Sequence, residues 1–403
     1  MTTHEVRTYE AASAALRSPA LRQALYRETA TLLGSAVINL HGAQHQARRD
    51  AESRIFRKDF FKHYEADVLA PEMEATLAPC IRSGKADLFD LGYRMMVNLT
   101  ADFAGIDRAG RTVEATADLV RLLKAFALAA VLDQSTLGDV AEIKAKLLAA
   151  IGEFRDRYLR PSMGRRLRVI KEIESGRAPE SGLPRDIMSI LLREKEKLGM
   201  GPDEMLQESI FFLVAGAHTS VHTLTHAVHE IFRWLQVYPE DWSRVKADPF
   251  FIQRCVREAV RLHPSSPVAK RQAQSAVTLP HIGRIGREDE IVIYLEEANR
   301  DTDIFGPDAG DFNPDRFIPA GKAQYGLSMG MGMHTCLGLN LALGGAPSKG
   351  ADPASHHFGT VSRIVSALFR AGMRPDPAGA PRKDPTTTRA LWAYYPVVFE
   401  ESR

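Results

Sequence analysis

Cysteine is scarce in this chain. Cys80, Cys255 and Cys336 are the only three in 403 residues, too few and too scattered for a disulfide scaffold. A cysteine that matters here is therefore expected to act as a thiolate in a reducing compartment. An excess of charge of one sign is also missing. Lys plus Arg number 52 and Asp plus Glu 50, a net charge of +2, which excludes a protein built to neutralise a nucleic-acid backbone. Long apolar runs are absent too. The longest uncharged ones, Ala125–Leu132 and Ile210–Ala217, fall far short of the ~20 residues that span a bilayer. The first twenty residues show neither the apolar core of a secretory signal nor a basic transit pattern. These absences predict a cytoplasmic protein with no membrane anchor and no nucleic-acid partner. No Ser/Gly linker and no internal repeat divides the sequence, so residues 1–403 read as a single domain.

What is there begins with helical periodicity. Tyr9–Leu25, Tyr64–Ser83, Asp87–Ala104, Thr112–Leu132, Ile143–Leu159, Ile187–Leu198 and Pro202–Gln236 carry apolar residues at three- and four-residue spacing. The last is the longest, and its middle is apolar on most sides, which predicts a helix through the interior. After Pro264 the pattern changes. Short β-type runs at Ala276–Leu279 and Glu290–Leu295 alternate with Gly-, Pro- and Asp-rich loops, and Trp392–Phe399 reads as a closing strand. The fold class is mainly α with a minor β region.

Three groups of residues carry chemistry. In Met329-Gly330-Met331-Gly332-Met333-His334-Thr335-Cys336-Leu337-Gly338, glycines crowd the cysteine. They permit a tight turn that aims backbone amides at a buried sulfur, as a thiolate ligand to a metal requires. Helical periodicity resumes at Leu337–Leu343, placing the sulfur near a helix start, where the dipole favours an anion. Glu258-Ala259-Val260-Arg261 sets an acid and a base on one helix face, which alone reads as a solvated surface pair. Farther on stand Asn299-Arg300-Asp301 and Phe312-Asn313-Pro314-Asp315-Arg316-Phe317.

The order and spacing of these three signals resemble the cytochrome P450 superfamily of heme-thiolate monooxygenases, over most of the chain from about Tyr9 to Phe399. The resemblance implies a P450-like fold, a long central helix over a heme b (iron protoporphyrin IX), and Cys336 as the proximal iron ligand. It implies that Glu258, Arg261 and Arg316 form the salt-bridged triad bracing the cysteine loop. His334, His45, Arg49 and Arg271, with Lys270 the alternative to Arg271, match the partners of the two heme propionates. Burying two carboxylates demands several cationic donors.

On the distal side the resemblance places Ala215-Gly216-Ala217-His218-Thr219-Ser220 of the central helix. Ala215 and Gly216 would leave room for dioxygen, and Thr219 would steady the protonated oxygen. His218 stands where relatives commonly carry an acid, and a local His-Thr-Ser resembles the sterol-demethylase branch, where histidine serves the proton relay. His218, His222, His226 and His229 also form one stripe about 80° wide on the helix. Histidines four apart can share a metal ion, so a histidine-rich non-heme metal protein is one rival reading. A heme protein with altered or lost oxygenase activity is the other.

Two departures from the family stand out. The chain reaches Tyr9–Leu25 with almost nothing before it, which reads as a shortened N-terminus. The helix after Cys336 is interrupted at 344–353, with Leu343 where relatives often carry arginine and Met329 where they often carry phenylalanine. The implied reaction inserts one atom of O2 into a hydrophobic small molecule of terpenoid, steroid, lipid or polyketide class. Electrons would come from a separate ferredoxin and ferredoxin-reductase type donor, since no flavin or nicotinamide fingerprint is present. Substrate contacts are expected from the segment between Leu25 and Leu40, from Phe211–Thr219, from Ser265–Ala269 and around Thr386–Thr388.

Overall fold

The structure, a computed structural model, describes residues 2–26, 29–130, 132–347 and 350–400. Ser348 and Lys349, part of the interruption at 344–353, lie outside the described residues. Helices dominate, and the long one at their centre runs Pro202–Val237. Proline at its first position, Asp203 and Glu204 in its first turn, and Glu204 accepting from the Gly201 amide at 2.9 Å start it. Pro239 follows its end, because the residue before a proline is driven out of helical geometry.

Its main neighbour is the helix Leu88–Ala104, capped by Asp87 accepting from Phe89 N. The two run antiparallel, since Gly92 faces Val221 and, two turns on, Thr100 faces Gly216. A Cβ on Gly92 would lie 3.3 Å from Val221 Cγ1, and one on Gly216 only 2.6 Å from Thr100 Cγ2. Glycine at these two crossings lets the axes approach closely.

Four strands form a sheet in the order Thr3–Val6, Glu290–Tyr294, Val268–Ala273, Leu21–Gln23. Only the first pairing is parallel. This sheet has a small core of its own around Tyr9, Leu21, Ile291, Ile293 and Leu327, beside the large helical core. A second, three-stranded sheet orders Lys85–Asp87, Pro396–Phe399, Met373–Pro375.

Several expected boundaries are corrected. Tyr9–Leu25 is a helix only to Arg17; Ser18-Pro19 ends it, and Leu21–Gln23 joins the sheet. A strand, Thr3–Val6, does precede Tyr9. Val268–Ala273 is a strand the pattern did not show, because Lys270, Arg271 and Gln272 break its apolar alternation and strands on both sides hold it. Trp392–Phe399 is two strands, Trp392–Tyr394 and Pro396–Phe399, parted at Tyr395. The helix Tyr64–Ser83 begins earlier, at Lys58, and passes through one π-turn. The helix Ile143–Leu159 likewise extends from Val140 to Glu174 through another. Among the described residues no helix is long and apolar enough to cross a membrane.

Candidate functional site

The cysteine loop is a tight turn. Gly330 and Gly332 take φ of +67° and +65°, and a Cβ on Gly330 would sit 2.7 Å from His334 O. Any other residue would strain this turn. The turn brings Cys336 N to Met329 O at 2.8 Å. The amides of Gly338 and Leu339, at the start of the helix Leu339–Leu343, act on the Cys336 sulfur, and so does the Arg49 guanidinium. Burial outweighs them, and the thiol stands above its ordinary range. Cys336 lies deep in the protein mass, yet its side chain is exposed. A sulfur with both properties sits in a concave place, a hollow open on one side. Coordination to a metal ion ionises such a thiol outright, and the amides already in place would hold the thiolate.

Behind the loop, Glu258, Arg261 and Arg316 are brought together. Arg261 donates to both Glu258 oxygens, at 2.9 and 2.6 Å, and Arg316 Nε donates to Oε1 at 3.0 Å. Glu258 and Arg261 are wholly buried. The remaining guanidinium protons are also used: Arg261 donates to Asn299 O, Ala309 O and Asp311 O, Arg316 to Phe305 O, Asp308 and Asp311 O. The expectation from spacing alone, a solvated surface pair, is overturned here.

Asn299 links the triad to the loop. Its Nδ2 donates to Arg261 O and Ser328 Oγ, its Oδ1 accepts from Leu327 N at 2.7 Å, and Ser328 donates to Val260 O. Sequence reading quoted Asn299 without giving it a role; the only local signal was an uncharged polar residue beside Arg300-Asp301. Gln253 and Arg257 were also missed. They bind the carbonyls of Leu343, Gly344 and Gly345 where the short helix ends, so the interruption after Leu343 is clasped by the helix that carries the triad.

The proposed propionate partners converge as well. His45 and His334 meet edge to face with ring centroids 4.6 Å apart. Arg49 donates to Thr335 O, next to Cys336. Arg271 is the buried member of the Lys270-Arg271 pair, and its bonds go to neutral acceptors, Gln23 Oε1 and Lys270 O. Burial, then Arg271, His45, Arg49 and His41, drives His334 down to about 3; burial, then Arg49 and His41, drives His45 to about 4. His334 Nε2 and His41 Nδ1 are buried without a hydrogen-bond partner. This cluster of guanidinium and imidazole groups is suited to a dianion, and the donors fit a heme with two carboxylates. His41 was missed because a single histidine before a helix carries no pattern. The helix Gly42–Glu52 that presents His45 and Arg49 is tied to the central helix by the buried Arg48–Glu208 ion pair, and Glu208 accepts Val37 N. Burial first, eased by Arg48, brings Glu208 up to about 7, and burial beside Glu208 raises Glu52 well above its usual range.

The residues expected on the distal side lie in the middle of the central helix. Thr219 Oγ1 donates to Ala215 O at 2.7 Å, and Thr219 O accepts from Thr223 and, at 3.3 Å, from Ser265. His218 Nδ1 lies 2.6 Å from Tyr93 OH, a partner on the neighbouring helix that no sequence signal marked. Burial, then Arg389, lowers His218 to about 3, so its ring is neutral. Gly216 directs its missing side chain at Thr100, so helix packing accounts for the glycine. The hydroxyls of Thr387 and Thr388 bond to Gln134 O.

The histidine stripe holds no metal cluster: among the described residues, no group of three His, Cys, Asp or Glu side chains could ligate an ion. The non-heme rival loses its site. A separate cleft of about 740 Å3, lined by Tyr64, Phe103, Arg111, Arg165 and Arg166, contains none of the residues above.

Comparison with known proteins agrees with this arrangement. The sequence model of the cytochrome P450 family matches residues 249–344, which hold the triad's Glu258, Arg261 and Arg316 and the whole cysteine loop. The chain is 25% identical to pulcherriminic acid synthase of Bacillus subtilis over 323 residues, 78% of this chain and 72% of that protein. Several other curated relatives align over less than half of their own length. Among solved structures, CalO2 superposes with a TM-score of 0.72 at 19% identity, covering 98% of this chain and 90% of the other. P450BioI in complex with hexadec-9Z-enoic acid ligated acyl carrier protein gives 0.71 at 17% identity, covering 98% and 92%. With the matched segment carrying the cysteine loop and its bracing triad, and the superposition running along nearly the whole chain, the protein belongs to the cytochrome P450 superfamily of heme monooxygenases, in its bacterial type.

Proposed function

We propose that this chain, as a single cytoplasmic domain, is a monooxygenase that places one oxygen atom of O2 in a hydrophobic small molecule. In this reading the cofactor is heme b, and electrons arrive from a separate ferredoxin-type donor. The observation that carries it is Cys336: an exposed sulfur crowded by protein and held by the amides of Gly338 and Leu339; Thr219 and His218 of the central helix would face it in this reading. A heme held there supplies reductive activation of dioxygen, with the thiolate favouring O–O cleavage. His45, Arg49, Arg271 and His334 would hold its carboxylates. Cys336 ligates, and the Glu258, Arg261, Arg316 network keeps its loop from shifting.

Thr219 can turn its hydroxyl from Ala215 O toward the hollow and offer a proton there. His218, neutral and bonded to Tyr93, can pass one on, because a neutral imidazole carries both a donor and an acceptor. Phe211, Val214 and Ala215, apolar neighbours of Thr219 on the same helix, would keep water from the reacting centre. The substrate is read only as hydrophobic. The relatives' names speak of pulcherriminic acid and of an acyl chain on a carrier protein, chemistries too different to choose between from this site.

The reduced protein with carbon monoxide tests the reading. The Soret band of a thiolate-bound heme is expected, and Cys336→Ser should abolish it, since serine cannot donate comparable charge. A histidine-type band in the parent, or an unchanged band in Cys336→Ser, would sink the assignment.

A further inference from the structure

The proposed reaction uses His218 and leaves the rest of its stripe without a task. His222, one turn on, has its ring centroid 4.4 Å from that of His218. It is 1% exposed, and neither of its ring nitrogens has a hydrogen-bond partner. His226, a further turn on, is also buried; its ring bonds the Ala390 backbone, leaves Nδ1 unpartnered, and stacks on His263 with centroids 4.3 Å apart. His263 Nε2 in turn meets Glu230 Oε1 at 2.7 Å, and its side chain, 22% exposed, is where the column reaches solvent. Buried polar groups are nearly always satisfied. Three unpartnered nitrogens on consecutive turns therefore point to interior water, or to partners that exchange, between these rings.

We propose that Glu230, His263, His226 and His222 form a proton-entry path from the surface to His218 and Thr219, a proposal that rests on the monooxygenase reading of that site. Each imidazole takes a proton on one ring nitrogen and releases one from the other, then returns to its first tautomer. Per dioxygen, two protons enter by this path, two electrons come from the external one-electron donor, one oxygen atom goes to the substrate and one leaves as water.

The surroundings suit a relay. Burial is the first cause that lowers His218, His222, His226 and His229 below the usual histidine range. Arg389 faces His218 and His222, Lys383 faces His222, His226 and His229, and Arg233 and Glu230 flank His229. Tyr93 bonds His218 at one end, and Tyr395 bonds His229 Nδ1 at 3.1 Å beside the path. The cations discourage a proton from resting on His218, His222, His226 or His229, so each of these keeps a donor and an acceptor. A doubly protonated imidazole has no acceptor left and would block the column.

The test uses the holoenzyme as its diamagnetic ferrous carbon monoxide complex, with 15N-labelled histidine. Ring N–H exchange of His222 and His226 with solvent should be measurable, and in His263→Gln it should slow by at least about tenfold while heme content stays that of the parent. In substrate-free dioxygen reduction driven by the electron donor, His222→Gln and His226→Gln should raise the solvent deuterium isotope effect and the peroxide released. Exchange that His263→Gln leaves unchanged, or that the parent lacks, overturns the path. Should His222→Gln fail to fold, His263→Gln, at the partly exposed mouth, still decides it. A parent without the thiolate-type carbon monoxide band would instead defeat the monooxygenase reading, while the exchange rates would still report on the path.

Discussion

The two walls of the proposed site are built on opposite terms. On the cysteine side the buried carboxylate is paired twice: Glu258 takes bonds from two arginines, and those arginines spend their remaining protons on loop carbonyls and on Asp308. On the helix side, buried imidazoles stand with open nitrogens, and the helix is located instead by close steric contact with Leu88–Ala104. A ligand to a metal must not move, so saturation serves the first wall. A wall where protons pass needs groups that can change partners, and saturation would freeze it.

The strongest way to break this contrast is at Glu258. Glu258→Ala strands two buried guanidinium groups, at a cost of about 3–5 kcal/mol. Heme retention and melting temperature should both fall sharply. A variant with full heme content and the parent's melting temperature would mean that the pairing is dispensable. Next in size is Gly216→Ala. The added methyl meets Thr100 Cγ2, which cannot swing away because Thr100 Oγ1 is tied to Met96 O at 2.7 Å. A loss of about 1–3 kcal/mol in urea unfolding is expected. Thr100→Ser deletes that methyl, keeps the hydroxyl bond and should restore most of it. Failure of the rescue would return Gly216 to a role in the hollow.

Asn299→Ala leaves Leu327 N without its acceptor, takes one donor from Ser328 Oγ and should cost about 1–2 kcal/mol. The Soret band should broaden, or heme should exchange faster, while the triad persists. An unchanged heme off-rate would separate the loop from the triad.

The mildest effect concerns Glu52. Its carboxyl is raised in the fold, so the folded state keeps its proton while the unfolded chain loses it above pH 4.5. Stability contributed by this group is therefore present below about 4.5 and declines as pH rises, by about tenfold in the folding equilibrium per pH unit until the folded value is reached. Glu52→Gln should raise the melting temperature at pH 8 and leave it nearly unchanged at pH 4. An equal shift at both values would point to packing instead.

Much of the cysteine wall was legible in the sequence because its requirements are local. A turn with two positive φ angles needs glycines at fixed places, and a carboxylate and a guanidinium three apart on a helix must share a face. Whether that pair was buried was not legible, since burial depends on what Asn299, Ala309 and Asp311 bring from elsewhere in the chain. His41, Tyr93 and Gln253 were invisible for the same reason: each acts on a residue of another element.

The sequence by itself determined the class of fold, the thiolate loop, the acid and arginines that brace it, and the polar middle of an otherwise apolar helix. These follow from periodicity and short-range spacing. The tertiary structure alone decided that Arg271 rather than Lys270 faces inward, that Gly216 answers to Thr100, and that His226 of the histidine stripe stacks on His263. Strand register, helix crossing and ring stacking are set by contacts between segments far apart in the chain, and no spacing along one segment encodes them.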